Sequence, residues 1–188
     1  MVGSVECLGI EDWNRIVDVN LRGVINGVQA VYPIMMRQGF GHIINTASMA
    51  GFMVVPGNAP YTTTKYAVIG LSKSLRAEAA QMGIRVSVVC PGLIRTPILE
   101  GGGRYGKILS DIPPQVFQRM LEKFRPMSPT LFAQKVLKSV AKNKAIIIVP
   151  SWWKVFWWMN RLSLSLGILI AQKHYQSMQK KLTKEQKI

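Results

Sequence analysis

Tyr61 and Lys65 stand four residues apart in the run "YTTTK". On a helix that spacing sets the two side chains one above the other on a single face. A phenol beside an ammonium is a proton-transfer pair, because the cation favours the phenolate and draws the tyrosine from its ordinary value of about 10 toward neutral pH. A lone pair of this kind is far more often a solvated contact than a catalytic device, so its neighbours decide. Ser48 ends the apolar run "HIINTA" (42–47), and a hydroxyl at the carboxyl edge of a sheet can hold a carbonyl or alcohol oxygen. Asn20, in "VDVN", can orient a water or a backbone group. The run "PGLIRT" (91–96) leaves a second apolar segment in the same way.

These residues need elements to hold them. Apolar residues recur at helical spacing over 11–38 and predict one long, mostly buried helix, weakened or bent by Gly23, Gly27 and Pro33 and stopped at "RQGFGH". Residues 42–47 then read as a buried strand. Ala67, Leu71, Leu75 and Ala79 place a second helix over 61–82, with Gly83 as its stop, and "IRVSVVC" (84–90) is the next strand. Residues 97–128 are irregular around a short helix near 115–123, as a lid or insertion would be. A helix over 129–142 and a strand over 145–149 complete the alternation. Helix and strand in turn imply an α/β sheet with right-handed crossovers.

The composition suits a folded domain: 48% of the 188 residues are apolar and 18% charged. Cys7 and Cys90 lie far apart with no CxxC or His cluster nearby, which points to neither a disulfide framework nor a metal site, and to a reducing, cytoplasmic setting. No signal peptide opens the sequence. The net charge of +15 is uneven: eight basic and six acidic side chains precede residue 101, and sixteen basic and three acidic follow it. Scattered cations without a recognised motif do not point to nucleic acid. His42 and His174 are isolated and read as surface or loop residues.

Taken together, "VDVN", "NTASMAG", "YTTTK" and "VVCPGLIRT" are specific, and over about residues 2–150 the chain resembles the short-chain dehydrogenase/reductase family. The resemblance implies a truncated, Rossmann-like, doubly wound parallel sheet comprising the last three strands and their helices. It implies that Tyr61 is the general acid/base, that Lys65 lowers its pKa and contacts the nicotinamide ribose, that Ser48 holds the substrate oxygen, and that Asn20 supports a proton-relay water. Pro91, Gly92, Ile94 and Thr96 match the PGxxxT segment that contacts the nicotinamide carboxamide. The implied activity interconverts a hydroxyl and a ketone with NAD or NADP, and the implied assembly is a homo-oligomer. Absent from residues 1–188 are the TGxxxGxG loop, the residue that selects between the two dinucleotides, and the NNAG motif. The chain therefore reads as a fragment of such an enzyme, with a non-catalytic membrane-surface or subunit-interaction module as the alternative.

Residues 151–188 form a basic extension. On one helix over 151–170, Lys154, Arg161, Ser165 and, beyond it, Gln172 make a narrow polar stripe among Trp, Phe, Leu and Ile. Four Trp in seven residues and the Lys-rich tail suit a membrane surface, while a cover for the substrate pocket or a subunit contact is the other reading. Either setting favours an apolar alcohol or ketone as substrate.

Overall fold

A computed structural model describes residues 2–100, 108–109 and 114–185. Its strands are β1 (Val2–Gly3), β2 (Gly41–Thr46), β3 (Ile84–Pro91), β4 (Ile108–Leu109) and β5 (Ile146–Val149). Its α-helices are α1 (Ile10–Val17), α2 (Gly23–Gln38), α3 (Ala59–Ala79), α4 (Pro114–Glu122), α5 (Pro129–Ala141), α6 (Lys154–Leu162) and α7 (Leu164–Glu185). β2, β3 and β5 form a parallel sheet in that order, with Ile43 opposite Val86 and Val89 opposite Ile147. The two-residue strands β1 and β4 pair separately.

Alternation along β3 serves both faces of the sheet. Val86 packs with Val28, Ile43, Leu75, Ala79 and Ile84 beneath α2 and α3. Val89 turns the other way and joins Ile147 and Val149 beneath Phe132, Val136 and Val140 of α5. Helices on opposite faces make the arrangement Rossmann-like, as the alternation of elements implies. Gly39 and Gly83 stop their helices with φ of +75° and +69°, as the sequence predicts.

Between residues 10 and 38 the chain departs from expectation. The helical path is continuous but contains a π turn over Asp18–Arg22, and Ile16 and Val28 are the buried hydrophobics in it. Val19 is 68% exposed, and Ile25, Val31 and Ile34 are exposed too. Apolar residues ring this helix, whereas only one side of it meets the sheet and α3. Helical spacing alone therefore overstated its burial.

A second departure concerns 151–170, expected as one amphipathic helix. A 3₁₀ turn (Ser151–Trp153) leads into α6, and the helix breaks at Ser163, which is extended and caps α7 through its hydroxyl on the Leu166 N–H at 3.2 Å. The stripe from Lys154 to Gln172 is thereby split between two helices. Of the expected lid over 97–128, residues 101–107 and 110–113 lie outside the described residues, and the short helix expected near 115–123 is α4 (Pro114–Glu122).

His42, expected as an isolated surface or loop residue, is half-buried on β2. Ser87 Oγ donates to the Lys144 carbonyl at 2.7 Å, so it accepts from His42 Nε2 at 2.8 Å. Burial, reinforced by Arg85 and Arg76, pushes the imidazole below its ordinary 6.5. The folded state thus favours neutral His42. Its contribution is complete above about pH 6.5 and is lost as pH falls through the lowered folded value. Urea melts between pH 7 and 5 are expected to show a shallower loss of stability in His42→Gln than in the parent chain.

Candidate active site

The site assembles where β2 and β3 end. β2 delivers Ser48 just beyond Thr46, and the Ala47 N–H bonds the Val89 carbonyl at 2.8 Å, which ties this exit to β3. Ser48 is extended and caps the 3₁₀ turn Met49–Gly51, its Oγ accepting from the Ala50 N–H at 3.1 Å. That turn lies on α3. A Cβ on Gly51 would sit 2.7 Å from the Lys65 carbonyl and 2.4 Å from Ile69 Cδ1, so only glycine permits the approach. Gly51→Ala is expected to cost about 2 kcal/mol by overpacking and to lower Tm by about 6 °C, measured by calorimetry.

Helix α3 carries Tyr61 and Lys65 on its first two turns. Lys65 Nζ lies 5.5 Å from the centre of the Tyr61 ring and donates to the Thr46 carbonyl at 3.2 Å. Ser48 lies close enough to the Tyr61 hydroxyl to act against the rise of its pKa. Asn20 comes from the π turn, a helix irregularity frequent at functional sites. Asn20 Nδ2 donates to Thr64 Oγ1 at 3.4 Å, and that hydroxyl donates to the Tyr61 carbonyl at 2.8 Å. Asn20, Ser48, Tyr61 and Lys65 are thus brought together through α3.

Burial governs the charges here. It pushes the Tyr61 phenol above its ordinary value, with the Ser48 side chain opposing, and it lowers the Lys65 ammonium. The Tyr–Lys spacing predicts the reverse for Tyr61. The cation does not reverse it because Lys65 directs its ammonium at a backbone carbonyl and is itself disfavoured by desolvation. Cys90, fully buried nearby, is pushed up to about 12 by the same desolvation and stays a thiol.

The segment from Pro91 to Thr96 leaves the same end of the sheet from β3. The Gly92 N–H bonds the Val149 carbonyl at 2.9 Å, and Leu93 and Arg95 exchange backbone hydrogen bonds with Met127 on either side of buried Ile94. Thr96 Oγ1 donates to the Ile94 carbonyl at 3.4 Å. Trp153 closes over Gly92: a Cβ there would fall 2.2 Å from the indole Nε1.

Sequence reading missed three supports. Gly51 and Thr64 sit inside the motifs "NTASMAG" and "YTTTK", but the contacts that need them are tertiary. Asn45 is buried on β2 and donates to Ser72 Oγ at 3.0 Å, while that hydroxyl donates to the Val68 carbonyl at 2.7 Å. A lone Asn in an apolar strand was the one available signal, since a buried amide must find a partner.

Comparison with known proteins agrees with this geometry. The family model described as short chain dehydrogenase matches residues 1–103. Over 98 residues the chain is 42% identical to 2-(R)-hydroxypropyl-CoM dehydrogenase of Xanthobacter autotrophicus, covering 52% of this chain and 39% of that one. The apo form of LigO from a Sphingobium strain superposes with a TM-score of 0.67 at 29% identity, over 99% of this chain and 62% of that one. A short chain dehydrogenase/reductase from Burkholderia phymatum in complex with NAD shares the fold, with a TM-score of 0.74 at 23% identity, over 88% and 63%. The chain spans about half the length of the curated relatives it matches. With a family model covering more than half of its residues, and with the strand ends, α3 and π turn arranged as described, this chain belongs to the short-chain dehydrogenase family.

Proposed function

We propose that the chain carries the acid–base half of an NAD(P)-dependent oxidoreductase that interconverts a hydroxyl and a ketone on an apolar substrate. The observation that carries this reading is the convergence of Ser48, Tyr61 and Lys65 at the carboxyl end of β2, with Asn20 tied to α3 through Thr64. Ser48 Oγ–H donates to the substrate oxygen. Tyr61 Oη takes the hydroxyl proton when the alcohol is oxidised and returns it when the ketone is reduced. Lys65 offsets the negative charge that develops on the phenol, and Asn20 orients the water through which the proton reaches solvent.

A bound nicotinamide would supply or accept the hydride. The residues present fit its ribose end: an ammonium has three donors, and Lys65 has one hydrogen bond to Thr46, which leaves two N–H groups for ribose hydroxyls. Pro91, Gly92, Ile94 and Thr96 would border the carboxamide. Neither NAD nor NADP is selected by these groups. The family's glycine-rich loop has no counterpart in residues 1–188, so these groups account for the ribose and carboxamide ends alone. β2 pairs only with β3 among the described residues, which leaves a parallel edge open on that side.

An apolar substrate is supported by what surrounds Ser48. Met49 shares a cluster with Phe52, Met53, Leu93, Phe124, Trp153 and Trp157, and Phe124 stacks on Trp153 at 5.7 Å. Residues 97–128 would close over it as a lid, and copies of the chain would associate through the helices over 10–38 and α3. The test is titration with NADH and NADPH, read by energy transfer from the protein's tryptophans. Saturable binding that weakens in Lys65→Met supports the reading. Dinucleotide binding as tight in Lys65→Met as in the parent overturns it.

A further inference from the structure

The segment that follows β5 has two sides. Inward, Trp153, Phe156 and Trp157 join the cluster beside Ser48, and Gly167 of α7 packs on Asn160 of α6, where a Cβ would lie 2.6 Å from Oδ1. Outward, Val155, Trp158 and Leu162 follow one another at i, i+3 and i+7 along α6, and they are 66%, 53% and 82% exposed. Leu164, Leu166 and Leu169 continue the apolar surface on the first turns of α7. An exposed apolar surface of this extent marks an interaction site.

Its charge pattern selects the partner. Lys154 and Arg161 are exposed and flank the α6 stripe at one residue's remove from Val155 and Leu162. The apolar turns of α7 lead into Lys173, which is exposed. A symmetric contact between two copies would bring these cations together, whereas an anionic surface would neutralise all of them at once. No helix among the described residues is long and apolar enough to cross a membrane. We propose that α6 and the start of α7 lie on an anionic lipid surface, with Trp158, Leu162 and Leu164 immersed at headgroup depth and Lys154, Arg161 and Lys173 against the lipid phosphates. None of these residues belongs to the Tyr61–Lys65 pair, so the lipid contact does not rest on the dehydrogenase reading.

The test is flotation of the 188-residue chain with vesicles of phosphatidylcholine alone and of phosphatidylcholine with 30% phosphatidylglycerol, which separates lipid-bound protein from aggregate. Binding is expected on the anionic vesicles. At roughly fivefold per cation, Lys154→Gln, Arg161→Gln and Lys173→Gln together should weaken it about a hundredfold. Leu162→Glu with Leu164→Glu should abolish it while the circular dichroism and Tm stay those of the parent, since the two side chains are 82% and 69% exposed. The proposal is overturned if neither vesicle floats the chain. It is equally overturned if the double Glu variant still floats, because general cationic attraction would then account for binding. A stable dimer that the double Glu variant dissociates, without vesicle binding by the parent, would assign the face to a second copy instead. Nicotinamide titration of the same preparations reads the dehydrogenase reading separately.

Discussion

Tyr61→Phe is expected to lower the kcat of alcohol oxidation about a thousandfold in enzyme containing this chain, with nicotinamide binding preserved. Removing the hydroxyl takes away the group that Ser48 contacts and leaves the ring in its place above Lys65. Burial is what makes the loss large. Solvent cannot readily substitute for a proton acceptor in a desolvated site. Ser48→Ala should raise the Tyr61 pKa further, because the Ser48 side chain acts to lower it. A Tyr61→Phe enzyme within tenfold of the parent would remove Tyr61 from the chemistry.

The second large effect lies in stability. Trp153 is 7% exposed, stacks on Phe124 and lies 4.9 Å from Trp152 between ring centres. Trp153→Ala is expected to cost about 4 kcal/mol and to lower Tm by about 12 °C, because the cavity opens where β3, β5 and the C-terminal segment meet. Trp153→Phe keeps most of the packing. It also removes an indole N–H that is buried without a partner, so its cost should stay within about 1 kcal/mol. Melting curves of the two variants separate packing from the polar group. Equal losses in both would mean that the N–H, and not the ring, carries the contact.

Such effects show where the sequence was informative. The placement of the four residues carried over from the family follows local signals: an i, i+4 pair, a serine at a strand end, an asparagine within a glycine-weakened helix. The glycine stops at 39 and 83 are local as well, and both stand in the left-handed region. Gly51 and Thr64 were not legible as supports, since their roles arise from a turn and a π-helical segment meeting α3. The direction of the Tyr61 shift was misjudged for the same reason. Spacing places a cation near a phenol, but burial is a property of everything packed around them.

The outer helix and the C-terminal segment failed in a related manner. Residues 10–38 are apolar on more sides than the sheet can cover, so periodicity could not say which side is buried. In the C-terminal segment the single serine at 163 breaks a helix that hydropathy carries straight through. That break turns one stripe into two helices with an inner aromatic side and an outer aliphatic one. The inner side explains why Trp153 belongs to the core, a role that the cluster of four tryptophans did not distinguish from surface attachment.

The central claim is that Tyr61 is the proton-transfer group, and the pH dependence of kcat for alcohol oxidation tests it most directly. Burial raises the phenol, so the rate should climb with pH through a titration that is present in the parent enzyme and missing from Tyr61→Phe. Lys65→Met should move that titration to still higher pH, because the charge that stabilises the phenolate is gone. Profiles of the same shape in the parent and in Tyr61→Phe would contradict the account and assign the proton to another group.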